Sequence, residues 1–207
     1  MFLTLIGMSG TGKSYWSKKL ELHGFKRFGC DDLITAHLAK KLGLAEPDLF
    51  DMHQWVGYPD EESHVVRAQL YLDAEEEVLN KIIEYLNNAG ENENIVIDST
   101  GSVIYMQNKI LQKLSHLTKI VYLDILPQDF DRMLNYYLEN PVAIIWNGYF
   151  QPIPKESPSQ TFTRCYPKLI KSREQIYKEL AYLTIPPSIH RTSEASVEKF
   201  LSYITKS

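Results

Sequence analysis

Cysteine is scarce in this 207-residue chain: Cys30 and Cys165 are the only two. They form neither a disulfide framework nor a metal-ligand spacing. The six histidines stand singly and gather no metal cluster. No apolar run approaches the ~20 residues that a membrane-spanning helix requires. A basic excess is missing as well. The 22 lysines and arginines face 26 aspartates and glutamates, a net charge of −4, which argues against a surface that tracks a nucleic-acid backbone. Internal repeats and low-complexity segments are absent too. The first apolar run begins at residue 2, leaving no room for the basic start of a signal peptide, so a reducing, cytoplasmic location is expected. Hydrophobic residues at 44% and charged residues at 23% are ordinary for a globular chain, read here as one domain over 1–207.

What is present centres on Gly7 to Ser14. Gly-Met-Ser-Gly-Thr-Gly-Lys-Ser fills every constrained position of the phosphate-binding pattern G-x-x-x-x-G-K-[ST]. Phe2 to Ile6 before it is an apolar or β-branched run suited to a buried parallel strand. Ser14 to Leu22 after it reads as a helix, with Trp16 and Leu20 on one face and Gly24 as its stop. In such a loop glycines let backbone N–H groups turn inward around phosphate oxygens, and the helix N-terminus adds partial positive charge. Gly7, Ser9, Gly10, Thr11, Gly12, Lys13, Ser14 and Tyr15 are the residues expected to meet the nucleotide. Lys13 should reach the β- and γ-phosphates, and the Ser14 hydroxyl should ligate Mg2+. A plain strand-to-helix turn needs neither two glycines nor Lys-Ser. The pattern predicts binding of ATP with Mg2+.

Strands and helices alternate along the rest. Strands are expected at Phe25–Cys30, Asn94–Asp98, Lys119–Ile125 and Leu183–Ile185. Helices are expected from Asp31 to about Leu42, Asp60 to about Ala89, over about 103–116, from Pro127 to about Glu139, from about Pro167 to Tyr182, and from a Ser193 cap onward. This order predicts an α/β, three-layer αβα P-loop NTPase fold with a mostly parallel five-stranded sheet covered on both faces. Residues 44–60 read as irregular. Residues 140–163, with Pro141, Pro152, Pro154 and Pro158, read as a lid. The long helix should bury Val65, Ala68, Leu72, Leu79, Ile82 and Leu86, and Glu75 falls on that stripe. A buried carboxylate needs a partner, in an ion pair or in a site.

Chemistry in such sheets gathers at the carboxyl ends of the strands. Asp31 follows the second strand and Asp98 ends the third. Asp98 has the character of a Walker-B acid, which holds Mg2+ directly or through water; its simpler reading is a turn or cap aspartate.

In this order the motifs resemble shikimate kinase and its small-molecule kinase relatives. Cys30-Asp31-Asp32-Leu33-Ile34 is similar to the family's Asp-Ser-Asp-x-x-Ile segment, and the resemblance puts Asp31 at its substrate-binding aspartate. Tyr71 to Leu79 resembles Phe-Arg-x-x-Glu-x-x-Val-Leu, with Glu75 at the glutamate. Thr100-Gly101-Ser102-Val103 is similar to the end of Gly-Gly-Gly-Ser-Val, and Arg173 to Tyr177 looks like Arg-x-Pro-Leu-Tyr. The implied acceptor-binding residues are therefore Asp31, Glu75, Gly101 and Arg173, within an acceptor segment at 31–90. Departures are equally plain. Of three family arginines that grip the substrate carboxylate only Arg173 has a counterpart; Tyr71-Leu72 replaces Phe-Arg, Gly29 replaces the first Asp, and 140–163 contains no arginine.

The expectation is an ATP-dependent, Mg2+-requiring kinase of a small hydroxylated acceptor, with Lys13 and Asp31 as catalytic residues and Ser14 and Asp98 at the metal. Lys155 or Arg164 would supply charge on lid closure, Arg164 being equally readable as a surface residue. Two other classes share the motif: a regulatory NTPase that has lost acceptor phosphorylation, and a kinase of nucleotides or nucleotide sugars.

Overall fold

Five strands, β1 (Phe2–Ile6), β2 (Lys26–Gly29), β3 (Ile95–Asp98), β4 (Lys119–Leu123) and β5 (Leu183–Ile185), form one sheet in the order β2-β3-β1-β4-β5. In this computed structural model every neighbouring pair is parallel, so the sheet is wholly rather than mostly parallel. The structure describes residues 1–46, 50–90, 92–139 and 144–206. Pro47, Leu49, Pro141 and residues 140–143 of the expected lid lie outside the described residues.

The strands read as continuous apolar runs because both faces of the sheet are covered. Leu3 and Leu5 of β1 enter one core, while Ile6 enters the other. Thr4 is buried as well, and its hydroxyl is matched by that of Thr118 at 2.7 Å. Helices α1 (Lys13–Leu22) and α9 (Val197–Thr205) cover the first face. Their junction is a stack of Trp16 on Phe200, ring centroids 4.2 Å apart. The opposite face carries α2 (Cys30–Lys41), α4 (His64–Asn88), α5 (Asn108–Leu117), α6 (Phe130–Glu139) and α7 (Pro158–Leu180). Each fully buried Leu or Ile contributes roughly 1.5–3 kcal/mol. Among the described residues, no helix is long and apolar enough to cross a membrane.

Several elements depart from the sequence reading. Residues 44–60 contain a short helix, α3 (Met52–Val56), whose N-cap Asp51 accepts from the backbone of His53 and Gln54 at 3.0 and 3.1 Å. Helix α4 starts at His64, and Val65 is 75% exposed; Leu79, Ile82 and Leu86 of the expected stripe are buried and Ala68 and Leu72 half-buried, while Tyr71, Ala74, Glu75 and Val78 are buried beside them. The expected helix over 103–116 is a 3-10 turn at Val103–Tyr105 followed by α5. Helix α7 begins at Pro158, not Pro167. A capping box fixes its start: Ser157 accepts from Gln160 N–H and the Gln160 side chain accepts from Ser157 N–H. Pro167 sits inside, its missing donor depriving only the Thr163 carbonyl of the regular bond. A further one-turn helix, α8 (Pro187–His190), precedes α9, whose cap is Ser196 instead of Ser193.

Candidate active site

The phosphate loop joins β1 to α1 at the carboxyl edge of the sheet. Its shape demands glycine: Gly10 and Gly12 have φ of 76° and 100°, values that L side chains rarely adopt. Thr11 is fully buried, and both its N–H and its hydroxyl donate to the Met8 carbonyl, at 3.3 and 3.0 Å. It braces the loop from within. Gly7 lies beneath, where a Cβ would meet Leu123 O and Thr11 Oγ1 at 3.1 Å. Ser9, Gly10, Gly12, Lys13, Ser14 and Tyr15 face the cleft. Lys13 folds over the loop, donating from Nζ to Gly7 O and Met8 O at 2.9 and 3.0 Å. Its burial lowers its pKa, opposed by Asp98 and then Asp31.

Next to the loop is a cavity of about 270 Å³ shared by Lys13, Asp31, His53, Tyr71, Gly101 and Arg173. Asp31, in the first turn of α2, is open to the cleft. Enclosure by surrounding protein raises its pKa, against the pull of Lys13 and His53. Arg173 of α7 is only 4% exposed. Its Nη2 donates to Ile145 O at 2.6 Å, its Nε to Tyr105 Oη at 3.2 Å, and its guanidinium lies 5.3 Å from the Tyr105 ring centroid. Among the described residues it has no carboxylate partner. Gly101 is small because Arg173 passes it: a Cβ there would stand 3.2 Å from Nη1.

Glu75 lies behind this wall, not in the cavity lining. It is neither paired with a cation nor exposed: the hydroxyls of Thr100 and Ser102 donate to it, Ser102 at 2.6 Å. Burial outweighs those bonds and raises its pKa to about 7. Glu75 thereby fixes the turn after β3 that carries Gly101.

Asp98 ends β3 beside the loop and is buried. Its Oδ2 accepts from Ser17 Oγ at 3.0 Å and from Arg27 Nη2 at 2.9 Å, and Arg27 Nε donates to Ser17 Oγ at 2.9 Å. The Ser14 hydroxyl and a carboxylate are hard oxygen donors of the kind Mg2+ takes. Among the described residues no three His, Cys, Asp or Glu side chains gather to hold a metal on their own. That donor set suits an ion that completes its shell with phosphate oxygens and water.

A second cavity, about 860 Å³, opens on the other side of Ser9 and Gly10. Leu126, Met133, Tyr136 and Pro187 give it apolar walls, and Arg132 and Arg191 stand at its edge. Arg191 bridges Asp129 Oδ2 at 2.7 Å and Gly10 O at 2.6 Å, while Arg132 holds Asp129 Oδ1 at 2.8 Å. Sequence reasoning missed these residues, since no motif marks them. Their only signal is position, in the segments that follow β4 and β5. Ile144 and Tyr166 line both cavities.

One residue beyond the expected lid, Arg164 ties down the end of that segment. It bonds Glu156 at 2.8 and 2.6 Å and Gln151 O at 2.6 Å, holding Glu156 down to about 2. Lys155 is exposed, with a φ of 69°.

Parallel sheet, phosphate loop and flanking cavities define a P-loop fold of the kinase-like class. No protein-family model matches the sequence, and no curated protein matches it. Solved structures do match. The chain is similar to a shikimate kinase from Acinetobacter baumannii in complex with shikimate, with a TM-score of 0.56 and 21% identity, over 99% of this chain and 89% of that one. The shikimate kinase from Bacteroides thetaiotaomicron gives 0.60 at 13% identity, over 99% and 98%. That from Aquifex aeolicus gives 0.54 at 19%, over 99% and 96%. The chain has the shikimate kinase-like P-loop fold.

Proposed function

We propose that this chain is an ATP-dependent, Mg2+-requiring phosphotransferase acting on a hydroxyl of a small acceptor. One observation carries the reading: Lys13, Asp31 and a buried Arg173 that makes no salt bridge among the described residues face a cavity of about 270 Å³. Burying an unpaired guanidinium is expensive unless something anionic meets it. An acceptor bearing one anionic group and several hydroxyls supplies that partner. Magnesium bound through Ser14, with Asp98 behind it, would neutralise charge on the phosphate oxygens.

The remaining roles belong to side chains. Backbone N–H groups of the loop hold the β- and γ-phosphates, and Lys13 exchanges its two loop carbonyls for phosphate oxygen as charge develops. Asp31 orients the acceptor hydroxyl and takes its proton, while Arg173 anchors the acceptor's anion. The larger cavity accommodates the nucleoside. Asp31, His53 and Tyr71 of 31–90 wall the acceptor cavity, and the described part of the expected lid ahead of α7, residues 144–157, acts as the cover that excludes water. The test is ADP release from ATP–Mg2+ across polyols, sugars, hydroxy acids and nucleosides, run beside Asp31→Asn. One acceptor class should accelerate release, and Asp31→Asn should lower that rate by about 10²–10⁴-fold while leaving ATP affinity nearly unchanged. Slow hydrolysis that no acceptor speeds would point to a regulatory NTPase instead. Acceleration by nucleotides alone would point to a nucleotide kinase.

A further inference from the structure

We propose that Arg27 makes divalent-cation binding at Asp98 conditional on the nucleotide, an inference that rests on the phosphate-site reading above. Arg27 and a metal ion would draw on the same carboxylate. The guanidinium is 2.9 Å from Asp98 Oδ2, and the same oxygen accepts from Ser17. Arg27 is pinned on three sides, by Asp98, by Ser17 Oγ at 2.9 Å and by Asp32 Oδ2 at 3.5 Å. Side-chain exposures of 14% and 6% for the Arg27–Asp98 pair leave little water to screen it.

The backbone is built around this contact. Gly29 is the cross-strand neighbour of Asp98 in the β2–β3 register. A Cβ at Gly29 would lie 2.7 Å from Arg27 Nη2 and 2.8 Å from Asp32 Oδ2, the carboxylate that holds Arg27 from its other side. Its φ of −86° suits any residue, so the glycine serves space and not backbone freedom. The empty position is the seat of the guanidinium. Lys13 is a second cation acting on Asp98. In the free protein two cations already meet the Asp98 carboxylate, and a dication would compete with Arg27 for the same oxygen. A triphosphate brings several negative charges to the loop and reverses that balance, so the metal enters with the nucleotide.

The probe is Mn2+, titrated into the full-length chain and followed by electron paramagnetic resonance, without nucleotide and with ADP. Without nucleotide, Arg27→Gln should bind Mn2+ at least about tenfold more tightly than wild type, the scale of one charge-assisted contact. Gly29→Ala, which displaces the guanidinium from its seat, should show the same direction of change and decides the matter should Arg27→Gln fail to fold. Arg27→Lys should stay near wild type, and adding Asp98→Asn to Arg27→Gln should erase the gain. A merely structural Arg27 would lower affinity or leave it unchanged. Unchanged or weaker Mn2+ binding in the folded variants, or a gain that survives Asp98→Asn, overturns the proposal. Wild type that binds no ADP overturns the phosphate-site reading, and the proposal with it; wild type that binds ADP and Mn2+ while the variants show no gain overturns the role of Arg27 alone.

Discussion

Lys13 is buried at 7% exposure and bonds two carbonyls of its own loop. From the sequence it is expected at a helix start, reaching the β- and γ-phosphates; its other role, closing the loop, emerges only from the fold. Lys13→Met preserves bulk while removing charge. Each ~1.36 kcal/mol lost from the transition state is about tenfold in rate, so turnover should fall several hundredfold or more, with circular dichroism unchanged. Turnover near wild type in a folded variant would take the loop out of the chemistry. Glu75 gives a prediction of the opposite kind, in stability. Its pKa rises from an ordinary value near 4.5 to about 7 on folding, chiefly by burial. Between those values the folded chain keeps a proton that the unfolded chain has lost. Its contribution is therefore full below about pH 4.5, declines toward pH 7 and is flat above. Glu75→Gln retains hydrogen-bonding capacity toward Thr100 and Ser102 without ionising. Across that window wild type should lose roughly 3 kcal/mol relative to Glu75→Gln, an upper figure at ~1.36 kcal/mol per pKa unit. Urea titrations at pH 4.5 and 7.5 measure the difference; equal changes in both proteins would mean that Glu75 ionises normally.

Among elements, the legible ones were those whose signals are local. The bounds of β1 and β5 and the end of α1 follow from apolar runs and from the Gly24 stop. Helix α7 shows why others were not. Pro167 reads as a helix start because proline cannot donate, yet the stronger signal is Ser157-Pro158-x-Gln160, a cap with proline at the first helical position. Ser157→Ala should destabilise the protein by ~0.5–2 kcal/mol, with hydrogen exchange accelerating first at residues 159–162. No change in exchange there would mean the box is dispensable. In α4 the stripe holds at Leu79, Ile82 and Leu86 but fails at its start, because Val65 fits the periodicity yet is exposed. The site divides the same way. Gly7 to Ser14, Asp31 and Arg173 were readable as motifs, whereas Arg191 on Gly10 and Arg27 on Asp98 are contacts across 181 and 71 positions. No window along the chain contains them.

The whole molecule combines the shikimate kinase-like fold with a cavity, proposed above for the acceptor, in which Arg173 is the one lining arginine among the described residues. Leu72 stands where the family resemblance would put a carboxylate-gripping arginine. Arg67 does not replace it, since its Nη1 donates to Trp55 O at 2.9 Å. Arg164 is spent on Glu156. Each missing charge-assisted bond is worth roughly 1.5–3 kcal/mol, so shikimate should be a poor or inert acceptor. Assay with shikimate and ATP–Mg2+ checks this: a KM below about a millimolar with the turnover of an ordinary metabolic enzyme would contradict it.

Ile144 and Tyr166 belong to both cavities at once. Two occupants that share a wall cannot be thermodynamically independent if either shifts it. Whatever factor a nucleotide imposes on acceptor affinity, the acceptor must impose on nucleotide affinity by the same amount. With nucleotide and acceptor in the two cavities as proposed, the side chains at 144 and 166 would couple them, and substituting either should alter the coupling even where both separate affinities are preserved.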